Sequence, residues 1–111
     1  MPAGQTLFDK IWQSHVVARR DDGSVLLHVD RHGMHDLTAQ QAFSMLERAG
    51  RSVHSPGLTI ATHDHVVSSE PGRTDDSYPP GTAFIQALRV GASRHRIQLF
   101  GIGHSQQGIV H

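Results

Sequence analysis

Apolar residues recur at intervals of four over the first part of the chain, Leu7 with Ile11 and Phe8 with Trp12 and Val16. That spacing predicts an amphipathic helix from Thr6 to about Ala18, with Thr6 capping the first turn and Asp9 three positions later. Asp21-Asp22-Gly23-Ser24 reads as a turn. The Val25-Leu26-Leu27-His28-Val29 run that follows is short, β-rich and almost wholly apolar, as in a buried strand. Asp30 to Asp36 reads as a polar connection. A second helix is then specified by Thr38 as N-cap, Gln41 closing a capping box, Leu37 and Ala42 as a weak staple, and Gly50 as terminator. Phe43, Leu46 and Ala49 form its expected core face.

Pro56-Gly57 punctuates the chain before Leu58-Thr59-Ile60-Ala61-Thr62, a second expected strand whose end carries Asp64 and His65. From Val67 to Pro80 runs a loop rich in Ser, Asp, Gly and Pro, long enough in a compact domain to suggest function or mobility. Arg73 within it is placed to contact an anion. Thr82 to His95 predicts a third helix with Phe84, Leu88 and Ala92 along one face, although Gly91 costs about 1 kcal/mol against Ala in a helix interior. Ile97-Gln98-Leu99-Phe100 is a third strand. Gly101-x-Gly103 lacks the third glycine of a dinucleotide fingerprint and serves a turn. Gly108-Ile109-Val110-His111 reads as the start of a further strand, so the pattern stops within an element. Alternation of helix and strand argues for an α/β layered domain, and 111 residues suffice for one such unit.

Charge and composition narrow the chemistry. Ten Lys plus Arg balance ten Asp plus Glu, so there is no general field to draw in nucleic acid or an anionic membrane. The chain has no cysteine, which excludes disulfides, thiol catalysis and thiolate ligation of zinc or an iron-sulfur cluster by its own residues. The N-terminal residues lack a basic region followed by an apolar run, and no stretch is apolar enough to span a bilayer; a cytoplasmic location is the simplest expectation.

Ten histidines invite a metal reading, since His63-x-His65 and His32-x-x-His35 have spacings that can converge on one ion. Neither pair brings the second ligand set that makes a motif specific, so no protein-ligated metal is assigned. Asp64 beside His65 is chemically more suggestive, because a neighbouring carboxylate fixes an imidazole's tautomer and raises its basicity. The plain alternative is that both merely satisfy local backbone groups at a strand end. Arg73 and Arg89 read in the same plain way as solvated charges.

Several ordered segments resemble the N-terminal part of the large subunits of 3-isopropylmalate dehydratases, in the aconitase superfamily. They are Thr6-Leu7-Phe8-Asp9-Lys10-Ile11, His15-Val16-Val17, Val29-Asp30-Arg31-His32, Leu37-Thr38 with Gln41-Ala42-Phe43, Ala61-Thr62-His63-Asp64-His65, and Gln107-Gly108-Ile109-Val110-His111. The resemblance implies a partial aconitase-like domain over residues 1–111, α/β and of three-layer type. It implies that Asp64 and His65 lie in the active site, where the histidine assists departure and return of the substrate hydroxyl. It places a further active-site histidine on His111, and a substrate-contacting glutamine on Gln40 within Thr38-Ala39-Gln40, where many isopropylmalate enzymes have Pro instead. It also implies a 2-hydroxy-dicarboxylate substrate, a small-subunit partner and a 4Fe-4S cluster. The cysteines of that cluster and an Asp-Ser-His stretch would follow His111. The expectation is therefore a fragment carrying one wall of a hydro-lyase site and inactive alone. The competing reading is a free-standing, non-catalytic α/β remnant that binds a dicarboxylate or a partner subunit.

Overall fold

A computed structural model describes residues 3–109, which fall into two compact units that divide after Asp30. In the first, helix α1 spans Leu7–His15, and the Thr6 hydroxyl accepts from the Asp9 N–H while the Asp9 carboxylate accepts from the Thr6 N–H, as the capping pattern predicts. The helix ends three residues short of Ala18. Val16 and Val17 are β-branched and prefer extended backbone, so the chain enters strand β1 (Val16–Arg19) and returns antiparallel as β2 (Val25–Leu27). The expected turn closes this hairpin: the Arg20 N–H donates to the Ser24 carbonyl, and Gly23 takes φ +84°, where a side chain would be strained.

The 25–29 run is thus not a buried central strand. Among the described residues it pairs with β1 alone, and Val29, beyond the strand, is 74% exposed. A short apolar run reads the same for a core strand and for a hairpin arm; pairing partners decide between them. At the end of α1, the His15 Nε2 lies 2.9 Å from the Asp30 carboxylate, and this hydrogen bond raises the imidazole pKa above its ordinary 6.5.

The second unit is built from β3 (His32–His35), α2 (Asp36–Arg48), β4 (Thr59–Thr62), α3 (Thr82–His95) and β5 (Gln98–Phe100). The three strands are parallel in the order β3-β4-β5, with His35 opposite Thr62 and Thr62 opposite Phe100. Each helix carries the chain back from the end of one strand to the start of the next. The two helices pack against each other and the sheet, burying Met34, Ala39, Phe43, Ala61, Leu88, Ala92 and Ile97 in one cluster. The α/β layering matches the pattern. Among the described residues, no helix is long and apolar enough to cross a membrane.

Three details differ from expectation, each for a local reason. Strand β3 occupies what reads as polar connection, because only Met34 of its four residues is fully buried and no apolar alternation marks it. Helix α2 starts two residues before Thr38, with His35 as N-cap: its Nδ1 accepts the Leu37 N–H at 3.2 Å, and Thr38 falls inside the first turn. Its buried face is therefore Asp36, Ala39 and Phe43, while Ala49 is exposed. The expected final strand is absent at Gly108 and Ile109, and Val110 and His111 lie outside the described residues.

Helix α3 begins and ends where the pattern puts it, but its buried face is Ile85, Leu88, Gly91 and Ala92, with Phe84 only half-buried. Gly91 is the contact point with α2: a Cβ there would sit 2.2 Å from the Phe43 ring. The Phe43 ring in turn stacks on His95 at 5.1 Å, so it has little room to retreat.

The Gly91→Ala substitution should therefore destabilise the protein by about 1–3 kcal/mol, overpacking outweighing the better helix propensity of Ala. Chemical denaturation monitored by helical circular dichroism checks this, and a gain in stability would contradict the close-packing explanation.

Candidate active site

Parallel register brings the residues that follow β3 and β4 side by side, in the position where open α/β sheets place their ligands. Opposite the His35-Thr62 pair, each strand continues out of the sheet, one into Asp36 and the other into His63. Asp36 has no exposed surface, and its carboxylate collects three consecutive amides from the neighbouring chain. Oδ1 accepts the N–H groups of Asp64 and His65 at 3.1 and 3.0 Å, and Oδ2 accepts that of Val66 at 2.9 Å. A buried carboxylate is tolerable when its lone pairs are filled in this way. The result is a fixed backbone under Asp64 and His65.

The side chains then meet. The His65 Nδ1–H donates to Asp64 Oδ1 at 2.6 Å, and the Asp64 side chain is 1% exposed against 25% for that of His65. An ionised carboxylate only accepts, so Nδ1 carries the hydrogen and the lone pair of the neutral ring sits on Nε2. The His35 ring stacks on that of His65 with centroids 3.8 Å apart, fixing the orientation of the imidazole. Sequence places Asp64 and His65 together; Asp36 and His35 come to them only through the fold.

His35, Asp36, Asp64 and His65 have ligand-type atoms within 4.8 Å of one another, a grouping that neither histidine pair in the sequence announces. Its geometry suits hydrogen bonding better than chelation. Imidazoles bind a metal in the ring plane, whereas these two rings lie nearly parallel, at 22°, and both Asp36 oxygens already hold amides. His63, the other member of His63-x-His65, turns inward and is fully buried. Its Nε2–H donates to the Ile85 carbonyl at 3.2 Å and its Nδ1 accepts the Ile102 N–H at 3.1 Å. This uses both nitrogens of a neutral ring. Burial pushes its pKa below 6.5, and the Arg89 guanidinium adds to the effect.

The long 67–80 loop is stapled rather than loose. Arg89 is no solvated charge: its Nε and Nη2 donate to the Asp75 carboxylate at 2.6 and 2.7 Å, with Gln86 adding a third bond at 2.8 Å. The guanidinium holds the Asp75 carboxyl below the usual carboxylate range. Gly81 ends the loop, and its Cα approaches the Val66 backbone so closely that a Cβ would fall 1.9 Å from the Val66 oxygen. A cleft of about 310 Å³ opens between this loop and the turn after β5, walled by Asp64, Ser68, Ser69, Arg73, Gln107 and their neighbours. Gln40 is exposed on α2 and lines the groove between α2 and α3, apart from that cleft. His111 lies outside the described residues.

A model of the aconitase family (aconitate hydratase) matches residues 9–111. The 3-isopropylmalate dehydratase large subunit of Prochlorococcus marinus (strain MIT 9211) is 41% identical over 109 residues, covering 98% of this chain and 23% of that protein. The chain thus spans about a quarter of the length of the curated relative it matches. No solved structure matches it.

Two measurements probe this architecture. Replacing Asp36 by Asn turns one acceptor into a donor facing an amide hydrogen, and should cost about 2–3 kcal/mol in denaturant unfolding; a neutral result would remove Asp36 as the clamp. Because His63 titrates lower when folded than unfolded, the unfolded chain binds more protons as pH falls below about 6.5, and its contribution to stability is lost there. Thermal midpoints measured across that window should fall with acidification, and less steeply for His63→Gln; parallel curves would show that His63 does not carry the linkage.

Proposed function

Because the chain belongs to the aconitase family, we propose that Asp64 and His65 form the proton-handling pair of a hydro-lyase, the large subunit of a 3-isopropylmalate dehydratase acting in cytoplasmic leucine biosynthesis. The observation that carries this reading is the 2.6 Å Nδ1–H to carboxylate bond, held over the Asp36 clamp at the ends of parallel strands. In dehydration of 2-isopropylmalate the C–O bond breaks with its electron pair on oxygen. His65, protonated at Nε2, gives the proton that makes the leaving group water. The hydrogen on the adjacent carbon leaves to a base, and its bonding pair becomes the alkene. In rehydration the base returns its proton to the carbon that lost the hydroxyl, water adds its oxygen at the neighbouring carbon, and His65 takes back the proton that this water sheds, giving 3-isopropylmalate. Asp64 keeps the hydrogen on Nδ1 and offsets the imidazolium charge.

His111 and Gln40 enter on motif match: His111 as a second acid-base group and Gln40 as a substrate contact. The relative's designation as a large subunit supports a small-subunit partner. The 4Fe-4S cluster of the family does not fit the residues present, since it needs thiolates and the chain has no cysteine. The chain's 111 residues supply one wall of the site and are inactive in isolation.

Titration calorimetry with 2-isopropylmalate tests the reading. Asp64→Asn and His65→Gln should each weaken binding at least about tenfold, or 1.4 kcal/mol; affinities equal to that of the unmodified chain would sink the assignment. Turnover of 2-isopropylmalate should stay at the no-protein level even after treatment with iron and sulfide, and activity above it would overturn the claim of inactivity.

A further inference from the structure

The cleft beside Asp64 contains one charged group that the acid-base chemistry does not use. Arg73 stands at the end of a turn in which its own N–H donates to the Glu70 carbonyl at 3.3 Å and Gly72 adopts φ +74°. Its Nη2 donates to Gln107 Oε1 at 2.8 Å, while Gln107 Nε2 donates to the His63 carbonyl at 2.7 Å. Both ends of the Gln107 amide are thereby fixed, and the guanidinium is referenced to the backbone immediately before the Asp64-His65 pair. Yet Arg73 Nε is buried and has no hydrogen-bond acceptor among the described residues.

A guanidinium does not shed its proton, so an orphaned N–H cannot be relieved by titration. A buried donor left without an acceptor costs about 1–3 kcal/mol, more when it is charged. Such a group in a native protein calls for an explanation, and an oxygen acceptor entering the cleft would supply one. Ser68 and Ser69 also line the cleft, and a serine hydroxyl can donate to an anion. Among the residues that line the cleft the charged pair is Arg73 and Asp64, so a singly charged group is accommodated more readily than a phosphate of higher charge. At about 310 Å³ the cleft suits a small organic acid.

We infer that Arg73, pre-oriented by Gln107, is a carboxylate-binding residue of this cleft. It receives one carboxylate of a small 2-hydroxy-dicarboxylate while Asp64 and His65 attend to the hydroxyl. The identity of the acid rests on the function proposed above; the carboxylate site itself rests on the cleft, the fixed guanidinium and its unmatched N–H.

The test is nuclear magnetic resonance of the 111-residue chain titrated with 2-isopropylmalate, following the Arg73 Nε–H signal and the His65 ring nitrogens separately. A saturable shift of the Arg73 signal is expected, with affinity lowered at least tenfold in Arg73→Gln. Arg73→Lys, which keeps the charge but loses the fork, should fall between, and both variants should keep the helical circular dichroism of the unmodified chain. Binding that moves the His65 nitrogens but leaves Arg73 unshifted, or that survives Arg73→Gln undiminished, overturns this inference and leaves the acid-base reading standing. A shift at Arg73 with no response at His65 supports the carboxylate site and counts against the acid-base reading. No response at either residue overturns both.

Discussion

The Asp36 carboxylate, bound to three successive amides of residues 64–66, is the interaction on which the geometry of the second unit's candidate site depends. It joins the start of α2 to the end of β4, so the helix that covers the sheet also fixes the backbone leaving it. Charge-assisted bonds of this kind are stronger than neutral ones, and in a site with no exposed surface water cannot substitute for them. The clamp leaves Asp64 and His65 on a stiff platform, which brief contact between two adjacent side chains would not by itself provide.

Around that platform the structure holds irregular backbone with polar groups rather than with apolar packing. His63 bridges the Ile85 carbonyl and the Ile102 N–H, Thr62 lies between the carbonyls of Phe100 and Gly108, and Asp75 takes the Arg89 fork. Loops cannot be buried without such partners. The long segment from Val67 to Pro80, which composition alone marks as potentially mobile, is therefore anchored at Asp75 and Arg73 to α3 and to the turn after β5. The pair that reads in sequence as two solvated arginines becomes one structural staple and one oriented cation beside the cleft.

Much of the architecture is legible before folding is considered. Thr6 and Asp9 cap α1, the Asp21–Ser24 turn is where its residues put it, and α3 starts and stops at Thr82 and His95, because each rests on contacts within a few residues. β3 escapes notice because its His-Gly-Met-His sequence earns its strand geometry from β4, not from its own alternation. The N-cap of α2 is misplaced for the same reason: Thr38 has the better local signature, but pairing of His35 with Thr62 sets where the strand ends and the helix begins. Gly91 looks like a propensity defect until Phe43 is seen against it.

Sequence by itself determined the helix-strand alternation, the adjacency of Asp64 and His65, and the family to which its ordered motifs point. All are properties of neighbouring residues or of their order along the chain. Tertiary structure alone decided that Asp36, 28 residues before Asp64, would hold its amide. It also decided that His63 would face inward while His65 stays accessible, and that Arg73 and Gln107 would meet across 34 positions. Those outcomes follow from parallel strand register and burial, which act between segments distant in sequence and leave no periodic mark within either one.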